Sequence, residues 1–171
     1  NLLSHPAPQV ITAKDKPNVS DSGNPANLNQ SLLRQIHELK QGVILGEPGS
    51  GKTTALRQYL LRQARSALKA HSSNRKLPIL VRLQAYTSTA DSGNPQPLID
   101  FIEDQIRLEA PHYGLFLAER FEEYLAQGRL VILFDGINEM PSVGYSQRVK
   151  EFTTFIERWP RVKVIITCRT S

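Results

Sequence analysis

The sequence predicts an α/β sandwich, in which a mainly parallel sheet is covered by helices on both faces. Short apolar runs with the length of buried strands alternate with longer segments whose apolar residues recur at helical spacing. The strand-like runs are almost continuously apolar, which is typical of parallel strands that are buried on both sides. At 171 residues, the chain is long enough to form one such domain with a sizeable core.

The regular elements are predicted from residue 28 onward. Helices are predicted at 28–39, 52–70, 98–109, 115–125 and 145–159, and strands at 43–45, 77–83, 130–135 and 162–167. Residues 1–27 are rich in proline and turn-forming residues, so they are predicted to be an irregular linker or arm. A polar loop is predicted from Gln84 to Pro97. The sequence thus divides into an arm, 1–27, and a four-stranded core, 28–171.

The composition limits the classes of function. The content of 40% hydrophobic and 22% charged residues is typical of soluble globular domains, and no apolar run reaches the ~20 residues that cross a bilayer. A cytoplasmic protein without membrane contact is expected. The single cysteine, Cys168, excludes an internal disulfide. The net charge of +5 is spread over predicted helices rather than clustered, so a nucleic-acid partner is not expected.

The strongest motif lies between the first predicted strand and the helix that follows it. The segment fits the pattern G-x-x-x-x-G-K-[ST] without a mismatch, and its residues are Gly46, Glu47, Pro48, Gly49, Ser50, Gly51, Lys52, Thr53 and Thr54. Glycines let the backbone approach phosphates closely, and the start of a helix favours negative charge. The Lys52 ammonium is predicted to contact the β- and γ-phosphates, and the Thr53 hydroxyl to be a Mg²⁺ ligand. The segment predicts a nucleoside triphosphate site.

Asp135 is the predicted second Mg²⁺ ligand. It follows an apolar strand and precedes Gly136, and parallel strands bring such strand ends to one edge of the sheet. A carboxylate is the kind of oxygen ligand that this cation prefers. Thr53, Asp135 and Arg169 are therefore expected to converge.

Two further residues are candidates for catalysis. Glu139 is the nearest carboxylate after Asp135 that could orient or deprotonate an attacking water, although a solvated loop glutamate has the same pattern. Arg169 follows the last strand, where a guanidinium could contact the γ-phosphate and stabilise charge as the bond breaks. By position alone, Arg169 is equally compatible with an exposed arginine before a loop.

Together these segments resemble the NACHT family of signal-transducing NTPases, within the STAND class of P-loop ATPases. The resemblance covers about Leu32 to Ser171, and it rests on GEPGSGKTT at 46–54, LVILFDGINEMP at 130–141 and VIITCRTS at 164–171, with VRLQAYT at 81–87 as a weaker match. It implies a P-loop NTPase sandwich, ATP or ADP with Mg²⁺ as ligands, Lys52 and Thr53 as the Walker A pair, Asp135 as the Walker B residue and Arg169 as the sensor-1 arginine. A small residue after the Walker B aspartate, here Gly136, is a hallmark of the family.

The sequence departs from the family pattern at one position in the site. The family has an acidic residue three positions after the Walker B aspartate, followed by Glu; here Asn138 precedes Glu139. Asparagine cannot act as a base, so cleavage would rest on Glu139 or be slow. The chain has no initiator Met and stops at Ser171, soon after the sensor-1 strand, so it is expected to be a piece of a longer protein with effector and sensor domains elsewhere.

The sequence thus favours the ATP/ADP-binding core of a NACHT-type switch, with slow Mg²⁺-dependent hydrolysis and self-association in the full-length protein. One alternative is a nucleotide-dependent scaffold that oligomerises without turnover. A small-molecule or nucleotide kinase is a weaker alternative, because it needs a lid with phosphate-facing arginines and the sequence shows no such cluster.

Overall fold

The computed structural model describes residues 9–13, 25–69, 75–86, 97–140, 142 and 144–170. In these ranges, the strands are β1 (Gln9–Thr12), β2 (Gln41–Leu45), β3 (Leu77–Arg82), β4 (Leu130–Asp135) and β5 (Lys163–Cys168), and the helices are α1 (Pro25–Glu38), α2 (Lys52–Lys69), α3 (Leu98–Glu109), α4 (Gly114–Glu119), α5 (Phe121–Ala126) and α6 (Tyr145–Arg158). Most of the predicted arm, and residues 87–96 of the predicted polar loop, lie outside the described ranges.

The strands form one parallel sheet in the order β1-β2-β5-β4-β3, so the predicted parallel α/β fold is confirmed. Strand β5 lies between β2 and β4. Its register aligns Ile44 with Thr167 on one side and Phe134 with Ile166 on the other. The segments that follow β2, β4 and β5 therefore emerge side by side at one edge of the sheet.

The core has two apolar layers, one on each face of the sheet. Because side chains alternate along a strand, Ile132 and Phe134 of β4 pack on the face covered by α3, α5 and α6. Val131 and Leu133 pack on the opposite face, against α1 and α2. The sheet is thus buried on both faces, as the middle layer of a three-layer sandwich. Burial on both faces explains why the strands are continuous apolar runs in the sequence. No helix in the described ranges has the length and apolar character needed to span a bilayer.

The expectation of four strands is wrong, because residues 9–12 of the predicted irregular arm form strand β1. This strand pairs in parallel with β2 from Gln9↔Gly42 to Thr12↔Leu45, and the Ala13 N–H donates to the Leu45 carbonyl at 2.6 Å. The side chain of Val10 is 61% exposed, and only Ile11 packs on the core. The strand is therefore held mainly by backbone hydrogen bonds, which leave little hydrophobic pattern in the sequence.

The helix predicted at 115–125 is also different, because it is two short helices separated at Arg120. The backbone of Arg120 leaves helical geometry at φ −116° and ψ 15°. The break lets Phe121 enter the core, where it is fully buried, while Phe116 stays exposed beneath the Arg120 guanidinium. Helical spacing alone does not reveal such a break, since both halves have apolar residues at compatible positions.

Candidate nucleotide-binding site

The loop between β2 and α2 is shaped by its glycines. Gly49 and Gly51 have φ values of 79° and 84°, in the left-handed region that other residues avoid. A Cβ atom on Gly46 would lie 2.6 Å from the Ser50 hydroxyl oxygen and 3.0 Å from the Ala13 side chain. The loop then enters the 18-residue helix α2 at Lys52, so the positive end of the helix faces the loop.

Lys52 is held by its own loop. Its ammonium donates to the carbonyl oxygens of Gly46 at 2.6 Å and Glu47 at 2.8 Å, and to the Ser50 hydroxyl at 3.3 Å. These contacts place one positive charge at the mouth of the loop. A phosphate oxygen could replace the carbonyls as the partner of this cation, since charge-assisted hydrogen bonds are the stronger ones.

Asp135 lies at the end of β4 and contacts residues from two other elements. Its Oδ1 atom accepts a hydrogen bond from the Thr53 hydroxyl at 3.1 Å and another from the Thr167 hydroxyl at 2.7 Å. Thr53 comes from the first turn of α2, and Thr167 from β5. A hydroxyl beside a carboxylate is an oxygen-only donor set, which fits Mg²⁺ better than a softer metal. The predicted pair of Mg²⁺ ligands is therefore in contact.

Gly136 begins a tight turn in which a residue with a side chain would be strained. Its φ is 79°, and an added Cβ would lie 2.9 Å from the carboxyl carbon of Glu139. The Glu139 N–H donates to the Gly136 carbonyl at 2.9 Å, which closes the short 3₁₀ turn Ile137–Glu139. The small residue after Asp135 thus lets the chain fold back and bring Glu139 beside the strand end.

Arg169 contacts the two residues that precede Met140. Its guanidinium is 2.9 Å from Glu139 Oε1, and its backbone N–H donates to the Asn138 side-chain oxygen at 3.0 Å. The side chains of Arg169 and Glu139 are 49% and 40% exposed, so this ion pair is open to solvent. Asn138 therefore ties the segment after β5 to the turn after β4. This contact could not be predicted from the motif alone.

The segment after β5 is also tied to the loop between β2 and α2. The Thr170 hydroxyl donates to the Glu47 carboxylate at 2.6 Å, and the Gly46 N–H donates to the Cys168 carbonyl at 3.3 Å. Arg169 is thus anchored on both sides within a few residues.

One cavity of about 270 Å³ unites these parts. It is lined by Pro48, Gly49, Gly51, Lys52, Thr53, Thr54, Asp135, Gly136, Asn138, Glu139, Thr167 and Arg169. The sequence-predicted residues Gly46, Glu47 and Ser50 support the loop without lining the cavity. Thr167 was missed by sequence reasoning, which treated it only as a strand end. A polar residue at the end of an otherwise apolar strand, at the edge where ligands bind, was the available signal.

Comparisons with known proteins show the family of the chain. The model of the NACHT domain matches residues 40–171. Over 132 residues, the chain is 30% identical to an uncharacterised WD repeat-containing protein from Nostoc sp.; the match covers 74% of this chain and 8% of that protein. No solved structure shows significant similarity to the chain. Because the family model spans most of the chain, the chain belongs to the NACHT family of nucleotide-binding P-loop NTPases.

Proposed function

We propose that this domain binds ATP and ADP with Mg²⁺, and that it is the core of a switch that hydrolyses ATP slowly. The observation that carries the proposal is the single cavity in which Lys52, the Thr53–Asp135 pair and the Glu139–Arg169 pair meet. Each of these groups could bind the phosphates, hold Mg²⁺ or assist cleavage of a triphosphate. Adenine as the base is supported by the family resemblance.

In this proposal, the phosphates bind between the loop and the strand ends. The Lys52 ammonium exchanges the carbonyl oxygens of Gly46 and Glu47 for phosphate oxygens, and the N–H groups at the start of α2 add partial positive charge. The Thr53 hydroxyl and the Asp135 carboxylate would hold Mg²⁺, which neutralises charge on the β- and γ-phosphates when bound. These contacts are common to ATP and ADP, except at the γ-phosphate.

Cleavage would depend on Glu139. Its Oε1 atom is engaged by Arg169, while no hydrogen bond to Oε2 is recorded among the described residues. In the proposed reaction, Glu139 takes a proton from water as the water oxygen bonds to the γ-phosphorus and the bond to ADP breaks. Arg169 lies beside Glu139, from where its guanidinium could donate hydrogen bonds to the transferring phosphoryl group and stabilise its negative charge. The neighbouring Asn138 contributes a backbone contact rather than a second base.

The decisive test of binding is a calorimetric titration with ATP and with ADP. The variant Lys52→Ala removes the cation at the loop and should abolish binding of both nucleotides. Lys69→Ala is the matched control, because Lys69 is an exposed lysine in the last turn of the same helix. Micromolar affinity retained in Lys52→Ala would contradict the proposed site.

A scaffold without turnover is the second candidate, and the engagement of Glu139 by Arg169 favours it. Release of phosphate in a single turnover with Mg²⁺-ATP separates the two candidates. An enzyme should release phosphate in the wild type and lose that activity in Glu139→Gln, while Glu157→Gln, at an exposed site on α6, should behave as the wild type. Nucleotide binding without phosphate release in the wild-type chain would support the scaffold.

The proposed switch concerns a full-length protein that contains this domain. We propose that ADP favours a closed state and that Mg²⁺-ATP favours an open, self-associating state, in line with the family resemblance. The matched Nostoc protein extends far beyond this domain and is described by its WD repeats, which supports the presence of further domains around a core of this kind. Sedimentation of the full-length protein with ADP and with a non-hydrolysable ATP analogue would test the proposed change in association.

A further inference from the structure

The structure points to a function for Thr167 that rests on the proposed function: we infer that Thr167 is a positioning residue that orients the Asp135 carboxylate for Mg²⁺. Thr167 is 1% exposed, and its hydroxyl lies 2.7 Å from Asp135 Oδ1 and 2.7 Å from the Gly136 nitrogen. The hydroxyl therefore bridges the predicted Mg²⁺ ligand and the turn that carries Glu139. Both hydrogen bonds of the hydroxyl are made to the last residue of β4 and the residue after it, so we infer that it acts through Asp135.

The direction of both hydrogen bonds is fixed by chemistry. A hydroxyl has one proton to donate and lone pairs with which to accept. A backbone N–H can only donate, so the Thr167 oxygen must accept from Gly136. Its single proton is then directed to Asp135 Oδ1. If the hydroxyl proton rotated away, Asp135 Oδ1 would keep only the longer hydrogen bond from Thr53.

The two hydroxyl donors contact only one of the two oxygens of the Asp135 carboxylate. Oδ1 accepts hydrogen bonds from Thr53 and from Thr167. Among the residues that the structure describes, none donates a hydrogen bond to Oδ2. The carboxylate is therefore anchored through one oxygen and keeps the other for the cation or for its water ligands. Partners that fix a metal-ligating carboxylate typically change metal affinity about 10- to 100-fold when they are removed.

The position of β5 in the sheet explains why Thr167 can do this. Thr167 and Asp135 directly follow the aligned pair Phe134↔Ile166 of neighbouring strands, and Thr167 is itself aligned with Ile44 of the loop-bearing strand. The rigid sheet thus fixes the hydroxyl relative to both motifs. The same hydroxyl holds Gly136 at the start of the turn, so the orientation of Asp135 and the position of Glu139 are linked through one oxygen atom.

The test is to measure ATP affinity at increasing Mg²⁺ concentrations. The midpoint is the Mg²⁺ concentration at which half of the increase in ATP affinity is reached. Thr167→Val keeps the branched shape but removes the hydroxyl, and we expect this midpoint to rise about 10- to 100-fold. ATP affinity measured in EDTA should be unchanged, because the loop contacts do not involve Thr167. Thr167→Ser should restore the wild-type midpoint. Thr153→Val, on the exposed face of α6, is the matched control and should leave both values unchanged.

Two further variants keep the test decisive. If Thr167→Val does not fold, Thr167→Cys should still raise the midpoint relative to Thr167→Ser, because a thiol is a weak donor. In an Asp135→Asn background, the change at position 167 should have no further effect on Mg²⁺ dependence. Equal midpoints for the wild type and Thr167→Val, or for Thr167→Ser and Thr167→Cys, would overturn the inference. A wild-type chain that binds no nucleotide at all would instead overturn the proposed function.

Discussion

Lys163 begins strand β5 and Arg169 follows its end, so two cations lie at opposite ends of one strand. The Lys163 ammonium is buried, with the residue only 8% exposed, and donates to the carbonyl oxygens of Ile36 at 2.7 Å and His37 at 2.8 Å. It also lies 5.1 Å from the centre of the Tyr59 ring. These carbonyls belong to the last turn of α1, where helical carbonyls lack partners within the helix. Lys163 thus satisfies a helix end.

Arg169 differs in both partner and environment. Its guanidinium is half exposed and pairs with Glu139, whose carboxylate lines the candidate nucleotide cavity. An exposed ion pair contributes little to stability. The Arg169 guanidinium can therefore exchange Glu139 for another anion at a small cost in free energy. The comparison teaches that burial and the type of partner separate a cation that holds the fold together from one that is available to a ligand. Position in the sequence alone does not make this distinction.

The largest expected effect comes from Arg169→Ala. Loss of the guanidinium should slow phosphate release in single-turnover assays by roughly 10²- to 10³-fold, the cost typical of removing one donor that stabilises developing charge. Arg158→Ala, at an exposed arginine on α6, serves as the control. An unchanged rate would remove Arg169 from the proposed chemistry and make it an ordinary surface arginine.

Lys163→Ala should lower stability but leave nucleotide binding unchanged. The variant leaves two carbonyls without a donor and opens a cavity beneath Tyr59, so we expect the free energy of unfolding to fall by about 2 to 4 kcal/mol. Urea denaturation followed by circular dichroism measures this loss. Nucleotide affinity below the unfolding transition should stay the same, whereas a selective loss of affinity in a stable Lys163→Ala protein would contradict a purely structural function.

The pH dependence of stability sharpens the same point. Burial, with a smaller contribution from the charge of Lys76, lowers the pKa of Lys163 from 10.5 to about 8. Between these values, the unfolded chain holds a proton that the folded chain has released, so stability should rise with pH by at most about 1.4 kcal/mol per unit. Burial also raises the pKa of Tyr59 to about 12, which opposes the rise above pH 10. The window from pH 8 to 10 is therefore the informative one.

Lys163→Met is the control for this pH dependence. Methionine keeps an unbranched apolar side chain but does not titrate in this range. The difference in unfolding free energy between wild type and variant should change with pH from 8 to 10, and a difference that stays constant would show that Lys163 does not carry the effect.

The smallest effect is expected for the stability of Arg169→Ala. Because the ion pair with Glu139 is exposed, its loss should change the free energy of unfolding by less than about 1 kcal/mol. Differential scanning calorimetry of the nucleotide-free protein tests this. A loss as large as that of Lys163→Ala would erase the contrast between the two ends of β5.

Local patterns allowed much of the fold and part of the site to be predicted. The loop at 46–54 and Asp135 could be chosen as candidate site residues because each stands in a short motif beside an apolar strand. Strand β1 could not, since backbone pairing with β2 holds it and its side chains are mostly exposed. The contacts of Thr167 and Asn138 also escaped prediction, because their partners lie 31 or 32 residues away and meet only through the strand order.

Hydrogen exchange of the wild-type chain, followed by mass spectrometry with and without Mg²⁺-ADP, tests the central claim most directly. The account predicts added protection of backbone amides at 46–54 and in the segments after β4 and β5. It predicts no change at the opposite edge of the sheet, where Lys163 meets the end of α1. A chain that shows no added protection at 46–54, or that is protected only near Lys163 and α1, would contradict a nucleotide site at the carboxyl ends of the strands.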